Sequence, residues 1–143
     1  MPVRKANAVW EGTLKQGRGT MRFGDGAFEG AYSAGSRFEE EPGTNPEELI
    51  GAAHAGCFSM ALSLQLEQAG FRAERIATQA NVHIERVGDG FRITSVRLVT
   101  EAAVPGIDRE TFLAQAEAAK KGCPVSQALT GVDEITMEAT LIG

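Results

Sequence analysis

The sequence predicts an α+β fold in which mainly antiparallel sheets pack on one long, central, buried helix. Strands occur in groups, helices occur in groups, and few strand–helix–strand repeats are present. The 143 residues are 43% hydrophobic and 23% charged, which is typical of a soluble globular protein. At this length we expect a single domain over 1–143.

The N-terminal part is predicted to form short strands. Alternating side chains over 8–14 indicate the first, and Gly24-Asp25-Gly26 is typical of a hairpin turn between strands at 20–23 and 27–32. The charged segment from Ser33 to Thr44 is predicted to be an irregular loop. Because such a hairpin is too small to be stable alone, we expect it to complete the sheet of a second copy of the chain.

A long apolar helix is predicted over 46–69. Asn45 can cap its N-terminus, and Gly70 provides a left-handed stop. The first two thirds are apolar or small on every side, so we expect this helix to be buried at the centre. Gly51 and Gly56 weaken a helix, and close approach of another backbone is the usual compensation.

The alternation of apolar and polar residues over 76–85 predicts a strand with one buried face. The remaining predicted elements are a strand at 91–103 after a Gly88–Gly90 turn, a helix capped by Asp108 and closed by Gly122, a short helix opened by Pro124, and a last strand at 135–141.

Composition and motifs exclude several classes of function. The net charge is −5 and the sequence pI about 5.1, whereas a nucleic-acid groove needs a basic stripe. No apolar run follows the first residues, and the apolar segment 49–64 is interrupted by polar residues and too short to span a bilayer. We therefore expect a cytoplasmic protein with no membrane partner. No phosphate-binding loop or metal motif is present, so no cofactor is predicted.

The two cysteines carry the chemistry that the residues suggest. Cys57 lies within the apolar helix, and a thiol there ionises at neutral pH only if a cation stands beside it in a semi-buried site. Arg37 is the candidate cation, held by Glu47 or another carboxylate through a bidentate pair. The alternative is that Arg37 is simply a solvated charge.

Cys123 has different advantages. Pro124 leaves it near the N-terminus of the next helix, where the helix dipole lowers a thiol pKa. In a compartment that keeps thiols reduced, a disulfide between Cys57 and Cys123 would be transient and catalytic. The residues alone do not decide which cysteine attacks and which resolves, and both could also be inert buried thiols.

His54 leaves further interpretations open. It lies three residues before Cys57 on the same helix face, so a Cys57/His54 hydrolase or acyltransferase is one alternative. A zinc site with Cys123 and His83 is disfavoured because the spacing matches no compact ligand pattern. A hydrogen-bonded buried histidine is the favoured interpretation. A non-catalytic, redox-sensing dimer is the remaining alternative for the whole chain.

The segments 43–62 and 122–127, together with Arg37, closely resemble the OsmC/Ohr family of thiol-dependent peroxidases. The resemblance covers nearly the whole chain. The sequence Gly-Ala-Ala-His before Cys57, and Val125 after the second cysteine, resemble the osmotically inducible protein C branch more than the organic hydroperoxide resistance branch.

This resemblance implies an intertwined homodimer with two active sites at the interface. It implies reduction of organic hydroperoxides, and less efficiently of hydrogen peroxide. Cys57 would be the peroxidatic thiol, Cys123 the resolving thiol, Arg37 the activating arginine and Glu47 its partner. The reductant would be a dithiol, in the family a lipoyl group on a partner protein.

The spacing of Glu47 and Cys57 adds a geometric expectation. Ten positions along a continuous helix correspond to about 15 Å. Glu47 therefore cannot reach the Cys57 of its own chain. We expect the Arg37–Glu47 pair at each thiol to come from the other subunit, with the two central helices antiparallel.

Overall fold

The computed structural model describes all 143 residues. Its strands and helices are β1 (Ala6–Glu11), β2 (Arg18–Phe23), β3 (Phe28–Tyr32), α1 (Ala34–Phe38), α2 (Pro46–Gln68), β4 (Arg75–Val87), β5 (Gly90–Ala103), α3 (Arg109–Gly122), α4 (Pro124–Ala128) and β6 (Glu134–Ile142). They form two three-stranded sheets, β1-β2-β3 and β4-β5-β6. Three of the four strand pairs are antiparallel, and only β5 and β6 run parallel. The predicted α+β class with mainly antiparallel sheets is confirmed.

The chain divides into two compact units, residues 1–49 and 50–143. In the first unit, the predicted hairpin is present, with a 3₁₀ turn over Gly24–Gly26 between β2 and β3. The prediction of an irregular loop over 33–44 is wrong in part, because α1 forms there. Ser33 and Ser36 cap one another's backbone N–H groups at 3.1 and 2.8 Å, which satisfies the first turn of this short helix.

Hydrogen bonds within the first unit tie α1 to the start of α2. The Glu48 N–H donates to Asn45 Oδ1 at 2.8 Å, so Asn45 is the predicted N-cap. The Asn45 side-chain amide in turn donates to the Ser36 carbonyl at 3.0 Å. The Ser36 hydroxyl donates to the Thr44 carbonyl at 2.7 Å. These bonds fix α1, and hence Arg37 on it, against the first turn of α2.

In the second unit, α2 packs on the β4-β5-β6 sheet and α3. The hydrophobic core comprises Phe58, Leu62, Leu66, Val96, Leu98, Ala102, Val104, Ile107, Phe112, Ala116, Ala119 and Cys123. Gly51 lies where a Cβ would meet the Val82 side chain at 3.3 Å and the Ala80 carbonyl at 3.4 Å. The close backbone approach predicted at Gly51 is therefore present, whereas a Cβ at Gly56 would meet nothing within 4 Å.

Burial of α2 within one chain differs from the prediction. One face is buried against the second unit, as Phe58, Leu62 and Leu66 show. A stripe of apolar or small residues on another face is exposed, including Met60 at 76% and Leu64 at 52%. Within the second unit, the predicted burial of α2 therefore holds for one face only, and no element of that unit covers the stripe.

The length of α2 also corrects the sequence argument about membranes. Its 23 residues are long and apolar enough to cross a bilayer, although the segment 49–64 alone is too short. A core helix of a soluble protein has the same length and composition. One face of α2 joins the hydrophobic core of the second unit.

The end of α2 depends on Gly70. This residue has φ +92°, and the following Phe71 N–H donates to the Leu66 carbonyl at 2.9 Å. Replacing Gly70 with alanine should lower the free energy of unfolding by about 1 kcal/mol, because an L side chain is strained at positive φ. Urea denaturation followed by circular dichroism measures this change.

Gly122, the last residue of α3, provides the matched control for that substitution. A Cβ at either glycine meets nothing within 4 Å, but the φ of Gly122 is not positive. Gly122→Ala should therefore leave the free energy of unfolding unchanged or raise it by up to about 1 kcal/mol. Equal effects of the two substitutions would contradict the role assigned to the backbone of Gly70.

Candidate active site

The structure brings the two cysteines of the second unit together. The Sγ atoms of Cys57 and Cys123 are 3.0 Å apart, and both cysteines are free thiols. Cys57 comes from the middle of α2, whereas Cys123 lies between α3 and α4. A disulfide bond needs a separation of about 2.05 Å, so a movement of about 1 Å would join the sulfurs.

The two thiols differ in exposure. Cys123 is fully buried, whereas Cys57 is partly exposed. The Cys123 N–H donates to the Ala119 carbonyl at 2.9 Å, and this bond continues α3 up to the cysteine. Pro124 then starts α4. A small molecule arriving from solvent therefore meets Cys57 first.

The pKa values of the two thiols shift in opposite directions within the second unit. The pKa of the partly exposed Cys57 is raised, and that of the fully buried Cys123 is lowered. Burial raises the pKa of Cys57, the hydrogen bond with Cys123 adds to this, and the Val125 N–H opposes it. Burial also acts to raise the pKa of Cys123, but the hydrogen bond with Cys57 and those with Ser126 outweigh it and lower that pKa. Within residues 50–143, no cation lowers the pKa of Cys57.

The first unit contains the predicted arginine–glutamate pair. Arg37 Nε donates to Glu47 Oε1 and Arg37 Nη2 donates to Glu47 Oε2, both at 2.9 Å. The Glu47 side chain is 8% exposed and that of Arg37 36%. The guanidinium also lies over the Phe38 ring, 5.2 Å from its centroid. This bidentate geometry restrains Arg37 far more than a solvated surface charge would be restrained.

His54 is fully buried and hydrogen-bonded, as the favoured interpretation predicts. Its Nε2 lies 2.7 Å from Ser126 Oγ, and its Nδ1 has no partner. Burial lowers the pKa of His54, so the ring is neutral at neutral pH. Because Nε2 bonds Ser126 and not a sulfur, His54 is not arranged as the general base of a cysteine nucleophile.

The other predicted histidine is remote from this chemistry. The His83 side chain is 66% exposed on the sheet and lies 3.8 Å from Glu85. No group of three or more histidine, cysteine, aspartate or glutamate side chains is arranged to hold a metal ion.

Sequence reasoning did not identify Ser126 as part of the site. Its position three residues after Cys123, at the start of a short helix, is the only signal that could have found it. The contact between Ser126 and His54 joins residues 72 positions apart, so neither local sequence pattern indicates the other.

Two thiols within reach of a disulfide define a dithiol redox protein, and comparisons with known proteins identify its family. The model of the OsmC-like protein family matches residues 38–138. The chain is also 52% identical, over 96% of both sequences, to Peroxiredoxin OsmC of Escherichia coli. This chain belongs to the OsmC-like family.

More distant relatives extend the comparison. The chain is 32% identical to the organic hydroperoxide resistance protein OhrB of Bacillus subtilis, over 70% of this chain and 72% of that protein. The fold is also that of the OsmC-like protein from Mycoplasma pneumoniae, with a TM-score of 0.77, 16% identity and 99% coverage of both chains. The higher identity to Peroxiredoxin OsmC supports the predicted branch.

Proposed function

We propose that this protein is a thiol-dependent peroxidase that reduces organic hydroperoxides, and hydrogen peroxide less efficiently, to the alcohol or water. The observation that carries the proposal is a pair of free thiols 3.0 Å apart, one buried and one partly exposed, in a member of the OsmC-like family. The names of Peroxiredoxin OsmC and of the organic hydroperoxide resistance protein OhrB support this activity and substrate class.

The reaction takes three steps. The Cys57 thiolate attacks one peroxide oxygen, the O–O bond breaks, and the leaving alkoxide takes a proton to become the alcohol, which leaves Cys57 as a sulfenic acid. Cys123 then attacks the Cys57 sulfur. The S–O bond breaks, the thiol proton completes a water molecule, and a disulfide forms. A dithiol reduces this disulfide by thiol exchange and becomes a disulfide itself.

The assignment of roles rests on access. Cys57 is the partly exposed thiol, which suits the residue that meets peroxide, and the buried Cys123 suits the residue that resolves. The pKa directions within the second unit favour charge on Cys123 instead. A cation placed against Cys57 would reverse this preference, and Arg37 held by Glu47 is the group in the chain that suits this role.

We place that cation in the other subunit of a homodimer. Glu47 and Cys57 both lie on α2, which is continuous from Pro46 to Gln68, and ten helical residues rise about 15 Å. The exposed stripe of α2 supplies a surface on which a second α2 could pack. Its members recur every three or four residues, as expected for one helix face: Ala53, Gly56, Met60 and Leu64.

The thiol pair and its disulfide also bear on the reductant and on the cellular location of the protein. The reductant is a dithiol, such as a lipoyl group carried by a partner protein, because one molecule with two thiols can open the disulfide and release both cysteines. A free thiol pair of this kind suits a reducing compartment, so the cytoplasm is the proposed location. The acidic net charge of −5 disfavours nucleic acid as a partner.

Two other functions compete with this proposal. A Cys57/His54 hydrolase or acyltransferase requires a hydrogen bond between thiol and imidazole, whereas His54 Nε2 bonds Ser126. A non-catalytic redox sensor would form the same disulfide without turnover. Both differ from the peroxidase in the amount of peroxide that one protein molecule consumes.

The test is turnover of cumene hydroperoxide by the reduced protein with dihydrolipoamide. We expect many equivalents consumed per subunit, with one cumyl alcohol formed and one dithiol oxidised for each peroxide, measured by chromatography. Protein alkylated at its thiols is the control and should consume none. A single equivalent per subunit that dithiol does not renew would indicate a sensor, and an inactivated thiol that consumes no further peroxide would indicate a hydrolase.

A further inference from the structure

A second contact joins the same two segments of the chain as the thiol pair. His54 lies three residues before Cys57 on α2, and Ser126 lies three residues after Cys123 on α4. The His54 Nε2 is 2.7 Å from Ser126 Oγ, and the two sulfurs are 3.0 Å apart. The three reaction steps use the contact between the sulfurs but not the hydrogen bond between His54 and Ser126.

The His54–Ser126 hydrogen bond is shielded from solvent. His54 is fully buried, and only 7% of the surface of Ser126 is exposed. The other ring nitrogen, Nδ1, is buried and has no partner, so Ser126 is the only hydrogen-bond partner of the imidazole. Leaving a buried polar group unpaired costs more free energy than forming its hydrogen bond gains. The ring and the hydroxyl are therefore held together in the folded protein.

The remaining contacts of α4 do not fix its position on α2 in the same way. This helix has only five residues. Its other side-chain hydrogen bond, from Gln127 Nε2 to the Gly122 carbonyl at 2.9 Å, is exposed and reaches only the end of α3. Val125 packs against the hydrophobic core, but apolar packing is non-directional. The His54–Ser126 bond is therefore the directional side-chain contact between α4 and α2.

We propose that His54 and Ser126 are positioning residues whose hydrogen bond holds Cys123 within reach of Cys57, so that the disulfide closes before Cys57 is oxidised further. In the reduced protein no covalent bond joins α2 to α4. The hydrogen bond removes arrangements in which the sulfurs are apart, which raises the effective concentration of one thiol at the other. Neither residue touches the peroxide. The role in turnover rests on the proposed function, whereas the effect on the disulfide equilibrium does not.

The hydrogen bond and the disulfide favour the same arrangement of α4 on α2. Each therefore stabilises the other by the same free energy, because coupling between two equilibria is reciprocal. Removing the hydrogen bond should lower the equilibrium constant for closing the disulfide. A hydrogen bond that served only the stability of the fold would lower the free energy of unfolding and leave this equilibrium constant unchanged. The two roles can thus be separated by measurement.

The first experiment equilibrates the protein with mixtures of reduced and oxidised dithiothreitol. The thiols of Cys57 and Cys123 become a disulfide as oxidised dithiothreitol takes up two electrons and two protons. Acid quenching, alkylation and mass spectrometry then give the fraction oxidised. Ser126→Ala should lower the equilibrium constant about tenfold, as expected for loss of one buried hydrogen bond, which raises the reduction potential by about 30 mV. No peroxide is needed, so this result is independent of the peroxidase activity.

A double-mutant cycle and two further variants sharpen that measurement. His54→Leu should lower the equilibrium constant as Ser126→Ala does, and the double variant should show no further loss, because both remove one bond. Ser126→Thr keeps the hydroxyl and should restore most of the constant. Thr100→Val is the matched control, because Thr100 is also a fully buried hydroxyl but bonds Thr78 and the Ala77 carbonyl. This control should leave the constant unchanged even where it lowers the free energy of unfolding.

The second experiment treats the reduced proteins with excess cumene hydroperoxide and measures sulfinic acid at Cys57 by mass spectrometry. Ser126→Ala should form several-fold more sulfinic acid per turnover than the wild type, since a slower closure leaves the sulfenic acid exposed for longer. If the wild type consumes no peroxide, the proposed function fails while the disulfide equilibrium still tests the hydrogen bond. An unchanged amount of sulfinic acid in Ser126→Ala would contradict the role in turnover.

Three results of the equilibrium measurement would overturn the proposal as a whole. The first is an equilibrium constant in Ser126→Ala equal to that of the wild type. The second is an equal loss in Thr100→Val, which would assign the effect to general destabilisation of the fold. The third is a double variant in which the losses from His54→Leu and Ser126→Ala multiply, because two substitutions that remove a single bond must be non-additive.

Discussion

Replacing Cys57 with serine is expected to reduce the dithiol-dependent consumption of organic hydroperoxide by at least about a thousandfold. A serine hydroxyl is not ionised at neutral pH and cannot carry the oxygen as a sulfenic acid. The Cys123 thiol remains in this variant, but it is fully buried. The measurement is the steady-state rate with cumene hydroperoxide. A wild-type rate in Cys57→Ser would show that Cys57 does not attack the peroxide.

Cys123→Ser is the matched control for that experiment, because it removes the other sulfur of the same pair. We expect it to consume one equivalent of peroxide rapidly, because Cys57 still forms a sulfenic acid. Without the neighbouring sulfur the sulfenic acid persists and is open to further oxidation. Mass spectrometry should then detect sulfinic or sulfonic acid at Cys57 with excess peroxide. If Cys123→Ser instead loses the first equivalent while Cys57→Ser retains it, the two roles are reversed.

The elements of this fold were predictable wherever local chemistry decides them. Asn45 caps α2, Gly70 ends it at positive φ, and Asp108 accepts from Thr111 N–H at 2.9 Å at the start of α3. Each of these signals lies within a few residues of the element it bounds. The short helix α1 was missed because its capping box uses two serines, whereas the usual pattern ends in glutamate or glutamine.

The two pairs of functional residues could be predicted from the sequence, but the hydrogen bond between residues far apart in the chain could not. The two thiols and the bidentate Arg37–Glu47 pair follow from residue types and a family resemblance. The contact between His54 and Ser126 does not, because it depends on how α4 packs against α2 across 72 positions. Burial of α2 was overestimated for a related reason, since the sequence shows that a face is apolar but not which chain covers it.

Replacing Arg37 with methionine is expected to slow alkylation of Cys57 at neutral pH by about 30-fold and to slow peroxide consumption similarly. A unit charge near the sulfur contributes between about 1 and 4 kcal/mol, depending on how far water is excluded, and 1.4 kcal/mol corresponds to a tenfold change. Methionine preserves much of the apolar length of the side chain. The readout is the pH profile of iodoacetamide alkylation of Cys57.

Arg92→Met is the matched control for loss of an arginine. Arg92 forms a hydrogen-bonded ion pair with Asp133, and both side chains are more than half exposed. Exposed ion pairs contribute little to stability, so this variant should alkylate and consume peroxide as the wild type does. An unchanged alkylation profile in Arg37→Met would remove the basis for an activating guanidinium.

Mixing Arg37→Met and Cys57→Ser proteins tests whether each active site takes its arginine from the other subunit. Neither homodimer has a complete site. In a mixed dimer, the intact Cys57 of one chain would face the intact Arg37 of the other. After unfolding and refolding a one-to-one mixture, half of the dimers are mixed and each has one complete site, so activity should recover to about a quarter of the wild-type value. If arginine and thiol act within one chain, every combination lacks one of them and no activity returns.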